Sequence, residues 1–177
     1  MMSKGSKRVT KKVTKNVDKN AKAGRSAGKG GSRREAKSLF MEAIDRAAGG
    51  FLFDAIGLFR AAIKADPKSD FADDALFDIG HCYLRMQLLN DAERTFTELL
   101  QKYPDAKIYN VAGGSETGRT AAKALLGRAR ARLKLGDLDG AKADVRALAE
   151  YTDSSVEDMD GKRRSFHELG RELLATA

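Results

Sequence analysis

The chain has 177 residues, 42% hydrophobic and 33% charged, with a net charge of +8, no Trp, two His and a single Cys. One Cys excludes a disulfide framework and a multi-cysteine zinc site by count, and a lone thiol suits a reducing compartment. No stretch approaches the roughly 18 apolar residues of a membrane span, and the start of the chain lacks the apolar core of a secretory signal. The expectation is a soluble, cytoplasmic protein.

The charge is unevenly placed. Residues 1–34 carry Lys4, Lys7, Arg8, Lys11, Lys12, Lys15, Lys19, Lys22, Arg25, Lys29, Arg33 and Arg34 against one acid, Asp18. Residues 35–177 hold 21 bases and 24 acids, so the body is mildly acidic. With Val9, Val13 and Val17 as its sizeable apolar groups, the tail cannot bury enough surface to offset the entropy of ordering, and is expected to be disordered alone. Those three valines open a repeated four-residue phrase that could become helical on a partner, although Val and Thr form helices weakly. Twelve cations on a flexible arm can neutralise phosphates and release counterions, which gives affinity for DNA, RNA or another polyanion without sequence readout. A solubilising extension or an organelle presequence are the alternatives, and the preference for Lys over Arg disfavours the last.

Helical elements begin after the tail. In a first unit, about 36–69, Ala55, Phe59, Ala62 and Pro67 share a spacing that returns downstream, after a turn at Gly50. The preceding helix has two registers: one puts Glu42 and Arg46 in apolar slots, and the other makes a face of Phe40, Ala43, Ile44 and Ala47. The second unit, about 73–106, is the clearest. Leu76, Ile79, Gly80 and Tyr83 form the face of one helix, and Ala92, Phe96 and Leu99 that of the next. Gly80 and Ala92 allow close approach, and Pro104 ends the second helix because it lacks an N–H and clashes with the preceding turn.

Between units, Gly113 to Thr120 matches a phosphate-binding loop except for Arg119 in place of Lys. No strand–helix alternation exists to build the sheet such a loop requires, so an inter-unit loop with Thr117 capping the next helix is the better reading. The third unit, about 122–155, turns at Gly136 and Asp137 and places Ala141, Val145 and Leu148 in the second-helix slots. Leu125, Leu126, Ala129 and Leu133 are apolar on its first helix, with Arg128 and Arg132 intruding. A last helix, about 162–176, repeats the first-helix spacing with Phe166, Leu169, Gly170 and Leu173, as expected of a cap on the end of a stack.

The spacing Leu76-x2-Ile79-Gly80-x2-Tyr83, followed by Ala92-x3-Phe96-x2-Leu99-x4-Pro104, resembles the tetratricopeptide repeat. The 37-residue step from Pro67 to Pro104 is similar to that of repeats in bacterial envelope-assembly and division factors, although those are exported. The resemblance implies an all-α fold: a right-handed superhelical stack of about three helix pairs plus a capping helix, spanning 35–177. It also implies a non-enzymatic scaffold whose first helices line a concave groove for a partner protein or peptide. Helical geometry then turns Phe77, His81, Leu84 and Arg85 toward the groove, with Phe40 and Ile44 upstream and Leu126, Arg130, Leu133 and Lys134 downstream. Such an apolar strip with Arg and Lys toward one end suits a peptide carrying acidic residues. Phe77, Leu84 and Leu133 would serve equally as packing between repeats. Chaperone-binding relatives hold a peptide's terminal carboxylate with paired Asn and basic residues; His81 and Arg130 stand at the equivalent places, with no Asn. The alternative function is a nucleic-acid-binding protein in which the tail dominates and the repeats recruit or oligomerise.

No catalytic group or cofactor is expected. His81 and Cys82 are adjacent on one helix and point about 100° apart, so they form neither a metal site nor a base–nucleophile pair. Cys82 reads as a small buried hydrophobe. Asp70, Asp73, Asp74 and Asp78 cluster near a helix start, where acids favour the positive end of the dipole, without the loop geometry of a calcium site.

Overall fold

The computed structural model describes residues 29–109 and 115–177, with side chains from Ser32 onward. Three antiparallel helix pairs follow one another: α1 (Lys29–Ala48) with α2 (Leu52–Ala65), α3 (Ala72–Arg85) with α4 (Leu89–Lys102), and α5 (Thr120–Leu135) with α6 (Leu138–Ala147). Helix α7 (Phe166–Ala175) closes the stack. Within the stack α3 packs on α5 and α5 on α7, making an inner layer of first helices.

The second helices follow the expected pattern residue by residue. Ala55, Phe59 and Ala62 on α2, Ala92, Phe96 and Leu99 on α4, Ala141 and Val145 on α6, and Leu148 in the 3-10 turn that directly follows α6 are all buried. The small residue at the head of each triplet brings its helix close to its partner, and the larger ones fill the space between. Phe96 is the most enclosed: a Cβ on either Gly80 of α3 or Gly127 of α5 would stand 2.6 Å from its ring. Both glycines are therefore needed to seat one aromatic ring between two inner helices.

Each pair turns in the same way. Phe51, Leu88 and Asp137 donate their N–H to the carbonyls of Arg46, Tyr83 and Arg132, at 2.9, 2.9 and 2.8 Å. This is a Schellman closure, which wants a left-handed residue just before the donor. Gly50 (φ 84°) and Gly136 (φ 85°) supply it in the outer pairs, and Gln87 (φ 59°) in the middle one.

Several expectations are corrected. Residues 29–34 belong to α1, not to a disordered arm, and Arg33 pairs with Asp70 at 2.5 Å. The rest of the tail, including Lys4, Lys7, Arg8, Lys11, Lys12, Lys15, Lys19, Lys22 and Arg25, lies outside the described residues. On α1, Ala36, Phe40 and Ala43 are buried while Glu42 and Arg46 are exposed, so the face built on Phe40 is the one that packs. The helical body also carries a small antiparallel sheet, β1 (Glu116–Thr117), β2 (Ser155–Glu157) and β3 (Arg163–Ser165), in the order β1-β2-β3. The last helix accordingly starts at Phe166, four residues late. Ser165 and Glu168 form a reciprocal capping box there, which satisfies two of the free N–H groups of the first turn. Thr117 does not cap α5: it lies in β1, where its hydroxyl bonds Ser155 and Arg163.

Candidate functional site

The inner helices define the site. Two adjoining clefts open between α3, α5 and α7, with His81, Leu84 and Arg130 on the wall of both. The outer cleft, about 590 Å³, is also bordered by Arg85, Leu133 and Lys134, and α7 adds Leu173 and Thr176. The inner cleft, about 200 Å³, runs past Phe77 and Leu126 to Phe166, Leu169 and Val156. Eight of the ten expected groove residues thus meet around one recess. Phe40 and Ile44 do not join it. Phe40 is 2% exposed, stacked on Phe71 at 5.1 Å and met edge-on by Tyr109 at 6.4 Å, and Ile44 packs against the same core.

The basic side chains of the outer cleft differ in how firmly they are held. Arg85 donates to the carbonyl of Ala47 at the end of α1 (2.8 Å), and Lys134 to Gln87 Oε1 (3.1 Å). Arg130 is exposed and makes no hydrogen bond or ion pair with another described residue. His81 lies parallel to the Phe77 ring, 6.2 Å away. Partial desolvation, followed by the positive Arg85, Arg130 and Lys123, holds its imidazole below the ordinary histidine pKa. Gln87 and Ala177 complete the border of the outer cleft, and no acidic side chain lines it among the described residues.

The wall of the inner cleft also carries an ionic cluster whose centre, Lys123, escaped sequence reading. Its Nζ reaches Glu116 at 2.6 Å and Asp74 at 3.6 Å, and sits 4.3 Å from the centroid of Phe77. Burial opposes its charge, but Glu116, Asp74 and Asp78 outweigh that and raise its pKa. Asp74 also accepts the Tyr109 N–H at 2.7 Å, and Asp73 accepts the Thr120 hydroxyl. Burial lifts Asp74 to about 7 and Asp78 to about 6. These acids are not a solvated helix start. They tie the α4–α5 connection down onto α3.

The loop that imitates a phosphate site has a structural part. Gly118 (φ 101°) leaves no room for a Cβ beside Ser154, whose hydroxyl accepts the Arg119 N–H at 2.9 Å. The Arg119 guanidinium covers Tyr151 at 4.1 Å and donates to the Glu150 carbonyl, so it does not reach for a ligand. Gly113 and Gly114 lie outside the described residues. Cys82 is buried, and desolvation pushes its thiol up to about 11, which makes it unreactive. Among the described residues no three metal-ligating side chains converge, and no helix is long and apolar enough to cross a membrane.

Paired helices stacked around a recess lined by their first members define a helical-repeat protein. The tetratricopeptide-repeat family model matches residues 54–113. Solved structures share the fold more widely. The TPR domain of Arabidopsis OM64 is 17% identical with a TM-score of 0.58, covering 82% of this chain and 98% of that one. The first TPR of Spaghetti (RPAP3), bound to the HSP90 peptide SRMEEVD, is 16% identical with a TM-score of 0.57, covering 81% and 93%. The Sgt2 TPR domain from Aspergillus fumigatus is 18% identical with a TM-score of 0.55, covering 80% and 78%. No curated protein sequence matches the chain significantly. Residues 54–113 thus match the tetratricopeptide repeat by sequence, and about four fifths of the chain shares the fold of tetratricopeptide-repeat domains.

Proposed function

We propose that this protein is a non-catalytic binding scaffold whose inner-layer recess takes an acidic peptide from a partner protein. The observation that carries this reading is the outer cleft itself. His81, Arg85, Arg130 and Lys134 converge there beside Leu84, Leu133 and Leu173, with no acidic side chain among the described lining residues. Arg130 supports it further, since a guanidinium with no partner among the described residues is ready for a carboxylate, which it can hold with two parallel hydrogen bonds. The structurally similar Spaghetti domain binds a peptide with two consecutive glutamates and a terminal aspartate. With no Asn beside His81 and Arg130, side-chain carboxylates rather than a chain terminus are the groups recognised here.

Fluorescence anisotropy with labelled SRMEEVD and its neutral analogue SRMQQVN tests this. The acidic peptide should bind at low salt, roughly tenfold or more above the neutral one, and weaken as salt is raised. Amidating its C-terminus should change little. Arg130→Ala should weaken binding by about tenfold while leaving stability within ±0.5 kcal/mol, because the side chain is exposed. Equal affinity for both peptides, or no binding, would refute the reading.

A further inference from the structure

The three Schellman turns lie side by side along one edge of the stack. Arg85 at the end of α3 donates to the Ala47 carbonyl at the end of α1, and Lys134 of α5 bonds Gln87 in the middle turn. Six large apolar residues are exposed among the described residues, and five of them sit on this edge: Phe51, Phe53, Leu88, Leu135 and Leu138. A Schellman turn ordinarily tucks its closing apolar residue against the helix it ends. Phe51 stays 59% exposed all the same, and Phe53 73%. Contiguous apolar surface of this kind marks an interaction site.

The charge beside the row is mostly negative. Asp54, Asp91 and Asp139 stand in the first turns of the second helices, and Asp45 in the last turn of α1, where the helix dipole disfavours an acid. Asp91 pairs with Arg94 and Asp137 with Arg132, whereas Asp45, Asp54 and Asp139 are exposed and meet no base among the described residues. Arg46 lies over Phe51 and pairs with Glu42. Such an edge fits a cationic segment with an apolar stripe, and the chain carries one. Residues 1–28 hold nine Lys or Arg against Asp18, with Val9, Val13 and Val17 four positions apart. The described structure starts at Lys29, one length of α1 from the turns: 20 residues, or roughly 30 Å. About nine extended residues cover that distance. Residues 20–28 therefore suffice to bring the three valines to the row.

We infer that residues 9–19 dock on the turn edge of their own stack, with the valines against the apolar row and the lysines beside Asp45, Asp54 and Asp139. The basic recess repels this segment, and an anionic membrane would meet the same unpaired acids, so charge selects the chain's own cations for the edge. The contact is separate from the peptide recess and does not depend on it.

The chain has no Trp, so Phe53→Trp places a single reporter on the edge of the full chain. A docked segment covers one face of the indole, so acrylamide should quench it about twofold less than when Val9→Ser, Val13→Ser and Val17→Ser are added, and its emission should lie at shorter wavelength. Replacing Lys11, Lys12, Lys15 and Lys19 with Glu should remove the protection too. Adding Asp45→Lys, Asp54→Lys and Asp139→Lys to that variant should restore it. Because the segment is tethered, protection should be unchanged on about tenfold dilution. Circular dichroism checks the fold, and the two tail variants leave the stack itself untouched. Equal quenching with the original tail and with both altered tails overturns the docking. Protection lost on dilution assigns the edge to a second copy of the chain, and protection seen only with phosphatidylserine vesicles assigns it to a membrane; each overturns the contact within one chain.

Discussion

In the α3–α4 pair the inner helix meets its neighbours through Leu76, Ile79, Gly80 and Tyr83. Superposing the Schellman turns puts Arg128 and Arg132 of α5 where α3 has Ile79 and Tyr83. These arginines stay partly buried. Arg128 grips Asp144 of α6 at 2.6 and 3.0 Å and bonds Thr97 of α4; Arg132 bonds the same Asp144 at 2.9 Å and Glu93 of α4 at 2.9 Å. Asp144 is 3% exposed. The same backbone plan is thus held by apolar contact in one pair and by a buried ionic hub in the next. The repeat requires a filled, satisfied space at those slots, not a particular kind of residue.

The hub offers the sharpest way to break this comparison. Asp144→Ala should cost about 3 kcal/mol, because it leaves the partly buried Arg128 without its carboxylate and removes one of those that hold Arg132. Replacing Arg128, Arg132 and Asp144 together with Leu should be neutral or stabilising by up to about 4 kcal/mol, if the two pairs are alternative solutions to one packing problem. Urea melts of both variants measure this. A triple variant as damaged as the single one would mean that the third pair cannot accept the apolar solution of the middle pair.

This difference also marks what sequence reading could reach. The second helices were legible because close packing demands a small residue and then large ones at fixed spacing within a single helix. The hub was not. Arg128 looks misplaced until Asp144, sixteen positions on, and Thr97, thirty-one positions back, are brought beside it. Strands of two or three residues are too short to show alternation, so Val156 left no signal, and Phe166 was legible only as an apolar slot of the last helix. Phe40 and Phe77 occupy matching places on α1 and α3. The returning α4–α5 connection lays Tyr109 over the first and leaves the second on the cleft. The downstream groove positions on α5 were legible for the converse reason, since they follow from α3 by helical geometry alone.

The seam between the middle and third pairs gives an effect of on the order of a few kcal/mol. Asp73, Asp74 and Asp78 of α3 all have pKa values raised by burial, Asp74 to about 7 and Asp78 to about 6. A carboxyl group with a raised folded pKa holds a proton that the unfolded chain releases above about pH 4. Its stabilising contribution is therefore complete below that pH and is lost as the pH rises to about 7. Denaturation midpoints should fall from pH 5 to pH 8. Asp74→Asn, which keeps an acceptor for the Tyr109 N–H, should flatten the slope. A midpoint that climbs with pH in the wild type would contradict this origin.

The smallest effect concerns the turn shared by all three pairs. Gln87 adopts the left-handed conformation that Gly50 and Gly136 take in the other two, which costs a residue with a Cβ about 1–2 kcal/mol. Glycine escapes that strain but loses roughly 0.5–1 kcal/mol of backbone entropy on folding. Gln87 recovers part of its cost through contacts with the Leu84 carbonyl at 3.3 Å and Lys134 at 3.1 Å, the latter at the mouth of the basic cleft. Gln87→Gly should then gain no more than about 0.5–1 kcal/mol, while Gly136→Gln, with no such contacts prepared, should lose about 1 kcal/mol. The lost hydrogen bond also frees Lys134, so Gln87→Gly should slightly tighten binding of an acidic peptide. Unfolding midpoints and peptide affinity measured on the same two variants separate strain from function. Destabilisation by both exchanges would show that the middle turn is held by the Gln87 side chain, and that its left-handed backbone is not under strain.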